Sequence, residues 1–405
     1  MKPIVRARRM KPVHSDIRGP LFVEAMKRQK QGIDILKLNT GNPATFGFGL
    51  PDSIKNALME HMQDGVGYCD FKGMPQARQA ICDYETSKGI KGITPDDVFI
   101  GNGVSEVVSF ALTPLLNDGD EVLVPSPSYS LWGNSVYLED GKPVFYTCDE
   151  QANWYPDIQD IRSKITDKTK AIVIINPNNP TGVLYPKELL LEIIQIARES
   201  GLLIFTDEIY DRLVMDGKQH ISLASLTEDV PVITLNGLSK SHCLCGYRCG
   251  WMVISGPREL TEDYRQGIIQ LTSLRLCANT MAQIVIPAAL DDMDTPASMV
   301  RPGGRIYEQR EATVRELEKI NGLSFVKNDA AFYVFPKLDV KKFNITNDKQ
   351  FAHDLLDATN ILLVPGSGFD WKDPDHFRIV MLPQADILSD AIRRMGTFLD
   401  GYKQK

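Results

Sequence analysis

The chain carries four polar segments whose residue types could do chemistry: Gly101-Asn-Gly-Val-Ser-Glu106, Asn176-Pro-Asn-Asn-Pro-Thr-Gly182, Thr206-Asp-Glu-Ile-Tyr210 and Leu238-Ser-Lys-Ser-His-Cys-Leu-Cys-Gly-Tyr-Arg248. Each follows a short apolar run. A lysine amine such as that of Lys240 can capture a carbonyl carbon. A guanidinium such as that of Arg248 offers a planar fork to a phosphate or carboxylate. A glycine turn that opens a helix gathers backbone N–H groups suited to an anion. Taken singly, each segment reads as structure: Gly-x-Gly and Asn-Pro-Thr-Gly are common turns, and an aspartate after a strand is often a helix cap. Their joint occurrence asks for another explanation.

The elements that must position them alternate along the chain. Residues 98–100, 121–124, 144–147, 171–175, 202–206, 232–235 and 251–254 are short β-branched or apolar runs, with helical stretches such as 105–116 and 188–199 among them. Runs apolar on both faces fit strands of a mostly parallel sheet with helices on each side, an α/β fold. The carboxyl end changes character. A charged helix (304–319), strands at 323–326 and 331–335, a helix (348–358), strands at 361–364 and 377–381 and a last helix (385–399) predict a smaller α+β domain. The amino segment, with its Gly and Pro residues, is expected to pack beside it. The divisions are thus 1–50 for the amino segment, 51–300 for the large domain and 301–405 for the small one. Ligands in open parallel sheets bind where loops leave the carboxyl ends of strands, where the polar segments fall.

Composition narrows the function classes. The 405 residues are 43% hydrophobic and 24% charged, ordinary for a globular protein but too many for one core. A net charge of −7 speaks against a broad nucleic-acid surface. The basic stretch 6–11 reads as a flexible terminal tail. No apolar run approaches the ~20 residues of a membrane span, and residues 1–20 lack a signal peptide's apolar centre. Seven scattered cysteines fit free thiols in a reducing cytoplasm. His242, Cys243, Cys245 and Cys249 raise the question of a metal. Their spacing lacks the paired Cys-x2-Cys of structural zinc sites, so small side chains packed beside a functional loop are expected, and no metal.

In this order and spacing the four segments resemble the fold-type I, class I/II aminotransferases, over about residues 16–400. Tyr68-Cys-Asp-Phe-Lys-Gly73, Ile174-Ile-Asn-Pro-Asn-Asn-Pro-Thr-Gly182 and Asp16-Ile-Arg-Gly-Pro20 are most similar to the bacterial alanine-forming (glutamate–pyruvate) group. The resemblance implies pyridoxal 5′-phosphate as cofactor and Lys240 as the lysine that holds it as a Schiff base and later acts as base. It makes Asp207 the partner of the pyridinium nitrogen, which a carboxylate keeps protonated and electron-accepting. Tyr210 and Asn179 match the pair on the ring's 3′-oxygen. Arg248, Ser239, Ser105 and the Val104 N–H match the phosphate ligands, and Tyr129 the stacked aromatic. Tyr68 matches a tyrosine reaching the phosphate from a neighbouring subunit, which implies a homodimer with shared sites. Many relatives carry Ser three residues before the lysine. Here Gly237 stands there, so one phosphate hydroxyl is expected to be missing or replaced.

For substrate, Arg378 in His376-Phe-Arg-Ile-Val380 matches the arginine that clamps the α-carboxylate, aided by Asn179 and the Gly41 backbone. Arg18 is expected to fold over the site and hold glutamate's distal carboxylate. The implied activity is transfer of an amino group between L-alanine/pyruvate and L-glutamate/2-oxoglutarate by a ping-pong mechanism. Aspartate, a branched-chain substrate or C–S β-elimination would use the same cofactor machinery. A regulator built on this domain would need a DNA-binding unit for which no length is spare, and the third Gly of a dinucleotide fingerprint is absent.

Overall fold

The computed structural model describes residues 2–405. The seven apolar runs form seven strands, and an eighth that was not expected, β4, completes the set: β1 (Val98–Asn102), β2 (Glu121–Ser126), β3 (Lys142–Asp149), β4 (Tyr155–Pro156), β5 (Thr169–Ile175), β6 (Leu203–Asp207), β7 (Val232–Gly237) and β8 (Cys249–Ser255). They make one sheet in the order β1-β8-β7-β6-β5-β2-β3-β4. The central run β7-β6-β5-β2-β3 is parallel, while β8 lies antiparallel to both of its neighbours and β4 closes the far edge antiparallel.

Strand periodicity explains why these runs are apolar throughout. On β5, Ile172 and Ile174 join a cluster with Leu190, Ile193 and Ile194 of the helix Lys187–Ser200. Ala171, Val173 and Ile175 point the other way, into a cluster with Val107, Val108 and Ala111 of the helix Val104–Leu112. Alternate residues therefore reach opposite cores. Truncating one such buried isoleucine to alanine costs about 2–5 kcal/mol. The helix Lys187–Ser200 starts after Pro186 and stops at Gly201, whose φ of 65° suits glycine.

The carboxyl-terminal helices Arg305–Leu317, Asp348–Thr359 and Ala385–Asp400 enclose a separate core that includes Leu317, Phe351, Leu355, Ile379, Ile392 and Met395. Its small sheet joins β9 (Tyr333–Val334), β10 (Val364–Pro365) and β11 (Phe377–Val380), with β11 central and antiparallel to both. The amino segment joins here: Leu36–Lys37 pairs parallel with Ile361–Leu362.

Several boundaries differ from expectation. The run 361–364 is two strands, because Ile361–Leu362 pairs with the amino segment and Val364–Pro365 with β11. The run 331–335 shortens to two residues since Ala331 has φ +59°, which breaks the extended backbone. The basic stretch 6–11, expected as a free tail, has a short turn at Arg8–Met10, and Arg9 pairs with Asp140 at 3.0 Å. Exposed pairs of that kind hold only weakly. Among the described residues no single helix is long and apolar enough to cross a membrane.

Candidate active site

Going out from β5, the sequence runs β5-β6-β7 toward one side of the sheet and β2-β3 toward the other. The strand order therefore reverses between β5 and β2, and the crevice of such a sheet opens at that point. A cleft of ≈ 770 Å³ lies there, a size suited to a small ligand. The loops after four adjacent strands supply its walls: Tyr129 follows β2, Asn179 follows β5, Asp207 ends β6, and Ser239 and Lys240 follow β7. Val104, Ser105 and Arg248 line one end, Gly41 and Arg378 the other, and Arg18 the rim. Tyr68 is the one sequence-selected residue that does not line it; it lies in the loop after Met62–Gly65 and is 83% exposed.

Lys240 sits in a single turn of helix, Leu238–Ser241. Its Nζ donates to the Gly41 carbonyl at 2.8 Å and lies 3.8 Å from the Cys245 sulfur. Burial presses the amine's pKa downward, but the surrounding Tyr333, Cys245 and Tyr129 side chains outweigh it and the pKa rises.

Asp207 presents the complementary problem. Burial drives its pKa up to about 6, opposed by long hydrogen bonds of 3.3 Å from the Trp132 indole N–H and the Ile209 backbone N–H. A buried carboxylate so thinly partnered fits a cationic N–H brought by a ligand. Nearby, Tyr210 is 2% exposed, and its hydroxyl lies 2.7 Å from that of Tyr333.

The Arg248 end is built by backbone. Gly103 has φ +85° and precedes the helix Val104–Leu112, whose first residues, Val104 and Ser105, line the cleft. A side chain at Gly103 would run into the Arg248 guanidinium, and one at Gly250 into the Val104 nitrogen. Two glycines therefore let a guanidinium lie against a helix N-terminus, a suitable cradle for a dianion. Gly237 has its own reason: a Cβ there would sit 2.5 Å from the Cys249 carbonyl oxygen across the β7–β8 pair. No serine fits on that backbone, and Ser239 and Ser105 are the hydroxyls that line the cleft.

At the other end, Arg378 is 1% exposed and held between the rings of Tyr333 and Phe369, each 4.6 Å from its Cζ. Nη1 donates to Asn179 Oδ1 at 2.9 Å and Nη2 to the Asn39 carbonyl, while Nε has no partner. Among the described residues no carboxylate pairs with it. A buried guanidinium without a counter-ion is a ready seat for an anionic substrate group.

The cysteine group separates. Cys243 packs on the Met299 sulfur at 3.8 Å, Cys249 is buried in β8, and Cys245 faces the cleft. Burial pushes the Cys243 and Cys249 thiols up to about 12, so they stay protonated. Sequence reasoning passed over Tyr333, Trp132 and Cys245 as site residues. Trp132 and Tyr333 stand in apolar contexts that read as core, while Cys245 was weighed only as a metal ligand.

An amine, a buried carboxylate, a phenol with an amide, and a cradle for a dianion together define a site for an aromatic aldehyde cofactor bearing a phosphate, with a carboxylate clamp beside it. Comparisons with known proteins agree. The family model for aminotransferase class I and II matches residues 33–392. The glutamate-pyruvate aminotransferase of Haemophilus influenzae is 50% identical over 404 residues, covering 100% of each chain. Among solved structures, an aminotransferase from Escherichia coli superposes with a TM-score of 0.98 at 47% identity over all of both chains. An alanine aminotransferase from Pyrococcus furiosus gives 0.93 at 41% identity, covering 98% of this chain and 100% of its own. The chain belongs to the class I and II aminotransferase family. It is an aminotransferase, and its cofactor is pyridoxal phosphate.

Proposed function

We propose that this enzyme moves an amino group between L-alanine/pyruvate and L-glutamate/2-oxoglutarate. The observation that carries the reading is a buried, acid-free Arg378 in the same cleft as Lys240 and Asp207, with a second arginine, Arg18, at the rim. One clamp serves the α-carboxylate common to both amino acids; the second serves only the longer one. The names of the relatives from H. influenzae and P. furiosus favour the same pair.

In this reading Lys240 Nζ would hold the cofactor and would carry the proton at the substrate Cα. Asp207 would serve the ring nitrogen, Tyr210 and Asn179 the ring oxygen, and Tyr129 the ring face. Arg248, Ser105, Ser239 and the Val104 N–H would hold the phosphate. Arg378, Asn179 and the Gly41 backbone orient the α-carboxylate so that the Cα–H points at the amine. Bound pyridoxal phosphate supplies an electron-accepting ring that acidifies that C–H. Donor and acceptor take turns in one cleft, which gives ping-pong kinetics.

The exposed Tyr68, with Val66 and Leu274 (75% and 82% exposed), suits contact with a second copy, whose site Tyr68 would complete. We take the enzyme as a cytoplasmic homodimer, with 51–300 as the cofactor domain, 301–405 as the small domain and 1–50 packed beside it. A panel of amino donors against pyruvate and 2-oxoglutarate tests the substrate pair. Alanine and glutamate should lead it. Aspartate or valine leading would replace the substrate assignment, and pyruvate with ammonia formed without an acceptor would identify a lyase.

A further inference from the structure

Tyr333 touches three of the residues that the proposed reading uses for the cofactor's ring oxygen and the substrate carboxylate: Tyr210, Arg378 and Gly41. It lies on β9, paired with Val380 of β11, and is 2% exposed. Its hydroxyl is 2.7 Å from that of Tyr210. The face of its ring lies under the Arg378 guanidinium at 4.6 Å. The same hydroxyl abuts Gly41, where any side chain would collide with it. The Gly41 carbonyl in turn accepts from Lys240 Nζ at 2.8 Å.

Each phenol has one proton and can also accept. In a Tyr210–Tyr333 pair one hydroxyl must donate to the other. If Tyr210 donates, its proton is spent inside the pair and Tyr210 has none left for an oxyanion beside it. If Tyr333 donates, the Tyr210 proton is free to point outward, and accepting a bond strengthens Tyr210 as a donor. A ligand oxyanion beside Tyr210 selects the second arrangement. The Gly41 backbone limits where the Tyr333 hydroxyl can go, so the relay has a fixed rest.

We propose that Tyr333 is a positioning residue: its hydroxyl donates to Tyr210 so that the Tyr210 proton is directed to the cofactor's ring oxygen, while its ring face holds Arg378 in register for the substrate carboxylate. This rests on the proposed roles of Tyr210 and Arg378. A phenol donating to the ring oxygen competes for it with the cofactor's own protonated nitrogen. It therefore eases loss of that nitrogen's proton and lowers the pH midpoint of the bound cofactor's visible absorbance.

The test is a pH titration of that absorbance in the pyridoxal-phosphate-loaded enzyme and its variants, with thermal unfolding of each. Tyr333→Phe keeps the ring and should raise the midpoint by about 0.5–1 unit, the worth of one net hydrogen bond. Glutarate, an unreactive dicarboxylate, should bind Y333F within about twofold of the parent, while Y333L, which removes the ring face under Arg378, should bind it about tenfold more weakly. In a Tyr210→Phe background, adding Y333F should move the midpoint no further, because the relay is already cut. An unchanged midpoint in Y333F, or a full further shift in the double variant, overturns the relay. Equal glutarate affinity in Y333L and the parent overturns the role at Arg378. If the parent itself develops no visible absorbance with the cofactor, the site reading fails instead.

Discussion

Asp207, the last residue of β6, and Asp211, four residues on, are both buried, and their carboxylates are pushed in opposite directions. For both, burial favours the protonated form. At Asp211 this is overcome by Lys88 at 3.2 Å, the Tyr84 hydroxyl at 2.6 Å and the Asn236 amide at 2.7 Å, and its pKa falls. Lys88 also reaches Glu85 and Glu208 at 2.8 Å each, so behind the sheet end one ammonium sits among three carboxylates. At Asp207 no cation lies within bonding reach, and its pKa rises to about 6. Two buried arginines repeat the contrast. Arg310 is paired with Asp216 at 2.7 Å, whereas Arg378 has no acid. Behind the cleft Asp211 and Arg310 find charged partners within the fold, although Glu85, buried beside two further carboxylates, is pushed toward its protonated form; in the cleft Asp207 and Arg378 have none. Incomplete electrostatic partnering, more than burial, separates the site from the scaffold.

That contrast can be broken at several points. Removing Lys240 should have the largest effect: Lys240→Ala is expected to lower turnover by about 10⁴-fold and to abolish the visible absorbance of bound cofactor, read by steady-state rates and spectroscopy. Lys88→Met should act on the scaffold instead. Three buried carboxylates lose their ammonium, and about 3–5 kcal/mol of stability goes with it in denaturant unfolding. A much smaller loss would show the rear network to be less committed than its geometry.

Asp207→Asn in the cofactor-free protein should do the opposite. The folded pKa of Asp207 stands near 6, above the ~4 of an unfolded aspartate, so the native state holds the proton more tightly. Stability is therefore lost as pH rises from about 4 through about 6, and the charged carboxylate is a burden at neutral pH. Asp207→Asn should unfold about 2–3 kcal/mol later at pH 7 and match the parent below pH ~4, while turnover of the loaded enzyme falls. A neutral or destabilising result at pH 7 would show that Asp207 already has a counter-charge. The smallest effect is expected at the rim, where water screens the charge: Arg18→Ala should raise the glutamate KM about tenfold and leave alanine kinetics unchanged.

Seven of the eight strands of the large sheet were legible because most are buried on both faces and so appear as apolar runs; the two-residue edge strand Tyr155–Pro156 was not. The small-domain strands were less so. Two-residue pairings such as Leu36–Lys37 with Ile361–Leu362 have no local periodicity, and only the partner makes them strands. At the site, the motif residues were legible because loops at strand ends carry unusual residue types, and all but Tyr68 meet in one cleft. Tyr333 and Trp132 were not. An aromatic in an apolar run looks the same whether its hydroxyl or indole N–H finds the site or the core.

By itself the sequence determined the α/β alternation through its runs of apolar residues, and through the resemblance its motifs carry it implied the family and the cofactor. Tertiary structure decided which charges go unpaired. Asp207 and Asp211, or Arg310 and Arg378, are alike in type and burial, and only the groups delivered from distant segments distinguish them. Electrostatic partnering acts over a few ångströms through space, and those neighbours come from positions that chain order does not reveal.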